Sequence, residues 1–228
     1  MIILKKFISI LILIILLIGI TAFPVFSYEE DNEENDETVA IIESLMVNSE
    51  NTNSPEVHSA HIVAIDRNTE RILYEKNAFD KTPMASTTKI LTSIIAIENC
   101  NLSDTVHISS KAAHTNGSTL GITADTDMRM EDLLYGLMLK SGNDCAVAIA
   151  EHIGGDLEGF SSIMNEKAQK LGLSNSHFVT PHGLDADSHY TTAYELALLT
   201  NYALKNETFR KIVSTKEIVI CNRCKTHT

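Results

Sequence analysis

Two residues near the middle of the chain form a pair able to do acyl-transfer chemistry. Ser86 lies three residues before Lys89, so on a helix both side chains share one face. A serine hydroxyl is a weak nucleophile until a base takes its proton. A lysine serves as that base when burial or a nearby cation lowers its pKa. The spacing predicts a nucleophile and its base; a helix-capping serine followed by a surface lysine is the plain alternative.

A second motif, Ser141-Gly142-Asn143, separates two helical patterns. The serine can relay a proton between Lys89 and a leaving group, and the asparagine offers a donor and an acceptor to a peptide group. The glycine permits a backbone path that turns both side chains inward. A helix-breaking turn is the alternative reading, because these residue types are common in turns.

The hydrophobic pattern predicts the elements that position these motifs. β-rich runs at 61–65 and 71–74 indicate a hairpin. Helical periodicity follows from Ser86 to about Asn99 and in four later segments. These later helices are predicted near 133–140, 144–153, 157–171 and 192–205, the last opened by a Thr192-x-x-Glu195 capping box, and a strand-like run follows at Glu217–Ile220.

The N-terminal segment has the pattern of a secretory signal peptide. Lys5 and Lys6 precede an uncharged apolar run that ends at Phe23, and cleavage is predicted after Ser27. A retained membrane helix is the alternative. The predicted organisation is a signal peptide at 1–27, an acidic disordered linker at 28–58, a partial catalytic domain at 59–220 and an atypical tail at 221–228.

Composition excludes several classes of protein. With 30 acidic and 18 basic residues the net charge is −12, which argues against a nucleic-acid partner. Only four cysteines are present among 228 residues, so a disulfide framework is not expected. The chain is therefore predicted to be an exported acidic protein with one enzyme-sized domain, at the outer face of the membrane, in the cell wall or secreted.

Both motifs lie within longer stretches that resemble one enzyme family. Residues 83–89 (PMASTTK) and 132–144 (DLLYGLMLKSGND) are similar to those of the serine-type D-alanyl-D-alanine carboxypeptidases, the low-molecular-mass penicillin-binding proteins. Residues 164–168, 181–185 and 189–193 are similar too, and the resemblance extends from about 60 to 216. It implies an α+β fold of the β-lactamase/transpeptidase type, a helical lobe beside an antiparallel sheet.

The resemblance also implies a role for each motif residue. Ser86 is the nucleophile that forms an acyl-ester with the penultimate D-Ala of a peptidoglycan stem peptide, and Lys89 is its general base. Ser141 passes a proton to the departing D-Ala, and Asn143 binds the substrate backbone. β-Lactam antibiotics are expected to acylate Ser86. No metal, organic cofactor or protein partner is implied, and His182 and His189 are expected to be structural residues of the cleft wall.

One expected motif is missing. The family carries Lys-Thr-Gly on a later strand, whereas the nearest string here is Lys225-Thr226-His227. We therefore expect an incomplete sheet, a C-terminally truncated family member, and poor activity of these 228 residues alone. A catalytically impaired penicillin-binding remnant is the main alternative. A β-lactamase is another, although the S-D-N motif and separate glutamate base of class A enzymes are not found.

The cysteines and histidines do not predict a metal site. Cys221 and Cys224 form a C-x-x-C pair, but zinc needs more ligands and only His227 is close in sequence. No H-E-x-x-H spacing occurs. Cys100 and Cys145 lie in apolar helical contexts and are expected to pack as small hydrophobic residues.

Overall fold

The computed structural model describes residues 57–220. The predicted signal peptide (1–27), residues 28–56 of the predicted linker and the tail (221–228) lie outside the described residues. Within 57–220, no helix has both the length and the apolar content that a membrane span requires.

The described residues form short strands and a larger set of helices. The strands are β1 (Ile62–Ile65), β2 (Ile72–Lys76), β3 (Thr105–His107) and β4 (Asp127–Arg129). The helices are a 3-10 turn (Ala85–Thr88), α1 (Lys89–Asn99), α2 (Ser110–Ala113), α3 (Met130–Leu139), α4 (Asn143–Gly154), α5 (Leu157–Lys170), α6 (Ala193–Ala203) and α7 (Glu207–Ser214).

The predicted hairpin is confirmed. β1 and β2 pair antiparallel, with Val63 opposite Glu75 and a bulge between Ala64 and Ile65. The turn closes on Asp66, whose carboxylate accepts the main-chain N–H groups of the two residues that follow Arg67. β3 and β4 form a second antiparallel pair, which the sequence did not predict because each strand has three residues. A strand of three residues shows too few alternations of apolar and polar side chains to be predicted from the sequence.

Helix α1 runs through the centre of the helical lobe. It packs against α3, α4, α5, α6 and α7. One apolar cluster lies on the α3 and α4 side, and a second joins α1 to α5 and α6. Helix α1 contributes to both, with Ala96 in the first and Leu91, Ile94 and Ile95 in the second, all essentially buried. A helix buried on most of its surface is fixed by packing, so its N-terminal turn is a firm support for the site.

Two details of the predicted elements are wrong. Glu217–Ile220 is not a strand, because no neighbouring strand within the described chain pairs with it. At α6, Thr192 does cap the helix through the Glu195 amide. The Glu195 carboxylate, however, accepts hydrogen bonds from Asn175 and Ser176 instead of closing a capping box. A buried carboxylate is held by the donors that tertiary packing supplies, which local sequence does not show.

Candidate active site

Ser86 and Lys89 form the contact that their spacing predicts. The Lys89 Nζ atom lies 3.0 Å from Ser86 Oγ. Ser86 lies in the 3-10 turn and is exposed, whereas Lys89 opens α1 and is only 2% exposed. The hydroxyl is therefore open to a substrate, and the amine lies behind it within the protein.

The surroundings of Lys89 favour its neutral form. Burial lowers the pKa of Lys89 to about 8. The amine also donates to the main-chain carbonyl of His182 at 2.8 Å. One N–H bond held by that carbonyl leaves the lone pair of a neutral amine free to face Ser86 Oγ. At neutral pH roughly a tenth of the molecules then carry Lys89 as a base.

The loop that supplies this carbonyl lies directly against the nucleophile turn. A Cβ atom added to Gly183 would lie 1.8 Å from the Ala85 carbonyl oxygen, and the φ angle of Gly183 is +85°. Only glycine permits both this backbone conformation and this approach. Thr92 donates to the Pro181 carbonyl at 2.7 Å and so ties the same loop to α1.

A buried histidine links a second loop to the same turn. His189 Nδ1 accepts the Val179 N–H at 2.9 Å, so the ring proton lies on Nε2 and is donated to Thr88 Oγ1 at 2.9 Å. Thr88 in turn donates to the Ala85 carbonyl at 2.9 Å. Burial is the main cause that lowers the pKa of His189, and it keeps the ring neutral. This chain of hydrogen bonds fixes the residues on either side of Ser86.

The second motif lies at the junction of α3 and α4. Ser141 has φ +55° and is half-buried, and the Gly142 N–H donates to the Gly136 carbonyl to close the turn. Asn143 is 3% exposed, and its side-chain amide donates to the Asn116 carbonyl at 2.7 Å. Within residues 57–220, no hydrogen bond joins Ser141 to Ser86 or Lys89 in this structure.

Asp144 anchors the loop beside Asn143. Its carboxylate accepts the main-chain N–H groups of Leu120, Gly121 and Ile122 at 2.8 to 3.2 Å. The residue is fully buried in the first turn of α4, where the helix dipole also favours a negative charge. The anchored loop includes the carbonyl that orients Asn143.

Cys145 connects the two motifs. It is fully buried in the first turn of α4, and its thiol is a neighbour of the Lys89 amine. Burial raises the pKa of Cys145 well above its usual range, with the Asp144 charge as a further cause, so the thiol is neutral. The packing of α4 on α1 thus brings the end of the second motif beside the base of the first.

The chain is similar to known proteins of one family. A family model described as D-alanyl-D-alanine carboxypeptidase matches residues 48–227. The chain belongs to this family. The D-alanyl-D-alanine carboxypeptidase DacF of Bacillus subtilis is 38% identical over 160 residues, which are 68% of this chain and 41% of DacF. The carboxypeptidase DacC of Escherichia coli K12 is 33% identical over 182 residues, which are 70% of this chain and 46% of DacC.

Solved structures of the carboxypeptidase family have the same fold. Penicillin-binding protein 5 of Haemophilus influenzae superimposes with a TM-score of 0.71 and 30% identity, over 75% of this chain and 53% of that one. DacD of Francisella tularensis superimposes with a TM-score of 0.67 and 34% identity, over 73% of this chain and 43% of that one. The predicted α+β fold of the β-lactamase/transpeptidase type is confirmed. This chain spans about half the length of these relatives.

Several residues that shape the site were not singled out by the sequence. Asp144, Gly183 and Thr88 lie within the stretches that resemble the carboxypeptidase family, but no role was predicted for them. An acidic residue in a first helical turn was a usable signal for Asp144. The partners of Gly183 and Thr88 are about a hundred residues away along the chain, so no local pattern pointed to them.

Proposed function

We propose that this chain carries the acylation site of a serine-type D-alanyl-D-alanine carboxypeptidase that acts on peptidoglycan stem peptides. The observation that carries the proposal is the Ser86–Lys89 pair, an exposed hydroxyl 3.0 Å from a buried amine with a lowered pKa. Family membership and the names of the relatives support the substrate class.

The proposed reaction has two steps. Ser86 Oγ attacks the carbonyl carbon between the two terminal D-Ala residues while Lys89 Nζ takes the hydroxyl proton. The tetrahedral intermediate collapses, its C–N bond breaks, and the departing amine receives a proton by way of Ser141. Water then attacks the acyl-ester and releases Ser86 with its proton restored. Asn143 holds the peptide backbone through its side-chain amide.

We further propose that the site works outside the cytoplasmic membrane, where peptidoglycan is found. The predicted signal peptide at 1–27 supports export, and the domain order of signal, linker, catalytic region and tail remains our proposal. β-Lactams are the expected inhibitors, because they acylate the same serine. A relative in this family is a penicillin-binding protein by name.

Release of D-Ala from a peptide ending in D-Ala-D-Ala tests the proposal. The full chain, its Ser86→Ala variant and a matched Ser103→Ala variant in an exposed loop are compared. The carboxypeptidase predicts release, slow for these 228 residues, that benzylpenicillin blocks, that Ser86→Ala abolishes and that Ser103→Ala keeps. Penicillin binding without D-Ala release would support the impaired-remnant alternative. Hydrolysis of penicillin itself at a high rate would support a β-lactamase.

A further inference from the structure

Three side chains with metal-binding atoms meet far from Ser86. The Sγ atom of Cys100, a carboxylate oxygen of Asp104 and a ring nitrogen of His152 all lie within 4.8 Å of one another. Cys100 is the C-terminal cap of α1, Asp104 lies in the loop before β3, and His152 lies in the last turn of α4. Helix α1 rises about 1.5 Å per residue, so this cluster lies roughly 15 Å from Lys89 along the helix.

We propose that Cys100, Asp104 and His152 form a binding site for a divalent transition-metal ion of the zinc type. Zinc takes a thiolate, an imidazole and a carboxylate at about 2.0 to 2.3 Å, with ligand atoms about 3.5 Å apart around a tetrahedral ion. The three ligand atoms lie within 4.8 Å of one another, and rotation of the exposed His152 side chain can bring its ring nitrogen closer to a bound ion. Three protein ligands leave the fourth position to water. A thiolate and an imidazole also disfavour Mg²⁺ and Ca²⁺, which prefer oxygen ligands.

The surroundings support a cation at this place. α1 and α4 both end here, and the C-terminus of a helix carries partial negative charge. No basic residue lies in the last turn of α1, so no side chain of that turn neutralises this charge. The negative ends of two helices therefore add to the charge that Asp104 supplies.

Neighbouring groups hold two of the three ligands in place. The Asn101 N–H donates to Asp104 Oδ2 at 2.8 Å, and the Asp104 N–H donates to the Asn101 carbonyl at 3.0 Å. Cys100 packs with Leu102 and Ile153 against the apolar cluster. Apolar packing around one ligand and hydrogen bonds to the ligating carboxylate both increase the affinity of a site for a metal ion. Binding would displace the thiol proton, because the metal ligand is the thiolate.

The test titrates the full chain with Co²⁺ as a spectroscopic substitute for Zn²⁺. Cys221→Ser and Cys224→Ser are introduced first, so that the tail C-x-x-C pair contributes no signal. We expect one equivalent of Co²⁺ with tetrahedral d–d bands and a thiolate charge-transfer band, displaced by Zn²⁺. Cys100→Ser removes the charge-transfer band. His152→Gln weakens binding by at least about 100-fold, since loss of an outer partner alone costs 10- to 100-fold.

His114→Gln is the matched control, because His114 is an exposed histidine outside the cluster. The His114→Gln variant should bind Co²⁺ with the same affinity as the parent. Zn²⁺ should also protect Cys100 from alkylation in the parent and not in His152→Gln. The proposal would be overturned by octahedral Co²⁺ spectra without a thiolate band. It would also be overturned by Co²⁺ binding that neither Cys100→Ser nor His152→Gln changes. D-Ala release plays no part in these readouts, so they stand apart from the proposed enzyme activity.

Discussion

The Lys89 amine is held by the main-chain carbonyl of His182 at a distance of 2.8 Å. This contact directs one N–H bond into the protein, and the same nitrogen atom lies 3.0 Å from Ser86 Oγ. The Lys89 amine is therefore oriented by the backbone of a loop that lies 93 residues away along the chain.

The acylation rate should rise with pH through the pKa of Lys89, which burial lowers to about 8. Below that pH only the small neutral fraction of Lys89 can take the Ser86 proton, so the rate falls about tenfold per pH unit. The measurement is the second-order rate of labelling by a fluorescent penicillin between pH 6 and 10. Lys89→Arg should react at least about 100-fold more slowly with no inflection near pH 8. An inflection that persists in Lys89→Arg would show that another group is the base.

Gly183→Ala should remove penicillin labelling. The added methyl group would meet the Ala85 carbonyl at 1.8 Å, so either the loop or the nucleophile turn must move. Gly172→Ala is the matched control, because Gly172 also has a positive φ angle, +75°, but nothing lies within 4 Å of its Cβ position. Backbone strain should lower the free energy of unfolding of both variants by about 1 kcal/mol or more. Only Gly183→Ala should lose labelling; equal labelling of the two would contradict the role of this close approach.

The protein should lose stability in mild acid through its buried histidines. Burial lowers the pKa of His182 to about 4, with the charge of Lys89 as a further cause, and burial also lowers the pKa of His189. Below pH 6.5 these histidines bind protons in the unfolded chain but stay neutral in the folded protein. The free energy of unfolding therefore falls as pH drops from about 6.5 towards 4. Urea unfolding at a series of pH values measures this fall.

The His189→Gln variant separates the contribution of that residue. A glutamine amide can accept from Val179 and donate to Thr88 without taking up a proton, so this variant should lose less stability between pH 6.5 and 4 than the parent. His114→Gln, at an exposed position, should follow the parent curve. A His189→Gln curve as steep as that of the parent would contradict a neutral buried His189.

Asp144→Asn should destabilise the protein by about 2 to 3 kcal/mol. The carboxylate accepts the main-chain N–H groups of Leu120, Gly121, Ile122 and Cys145, and an amide NH₂ in its place would face one or more of these donors. Asp132→Asn is the control, since Asp132 pairs with the exposed Arg129 and its loss should cost less than about 1 kcal/mol. Chemical denaturation of both variants checks the difference. Equal losses would show that the carboxylate does not anchor this loop.

The sequence predicted the parts of the site that are local. Ser86 and Lys89 are one helical turn apart, so their contact follows from helix geometry. The β1–β2 hairpin and the main helices also followed from periodicity. The Ser141 turn was predicted as a break between helices, and its positive φ angle is the physical form of that break.

The parts that join distant segments were not predictable from the sequence. The hydrogen bond between Thr88 and His189 spans 101 residues, and the one between Asn143 and Asn116 uses a main-chain carbonyl, which has no residue-type signature. Glu195 matched a capping box but is held by the loop before Phe178 instead. Main-chain partners and tertiary packing decide these contacts.

Covalent labelling shows directly whether Ser86 is the nucleophile. The full chain is incubated with a fluorescent penicillin at pH 8, and intact mass and peptide mapping locate the adduct. We predict one penicilloyl group, carried by the peptide that contains Ser86, and no adduct on Ser86→Ala, while Ser103→Ala is labelled like the parent. Folded protein that takes up no penicillin, or an adduct that persists in Ser86→Ala, would show that Ser86 is not the nucleophile.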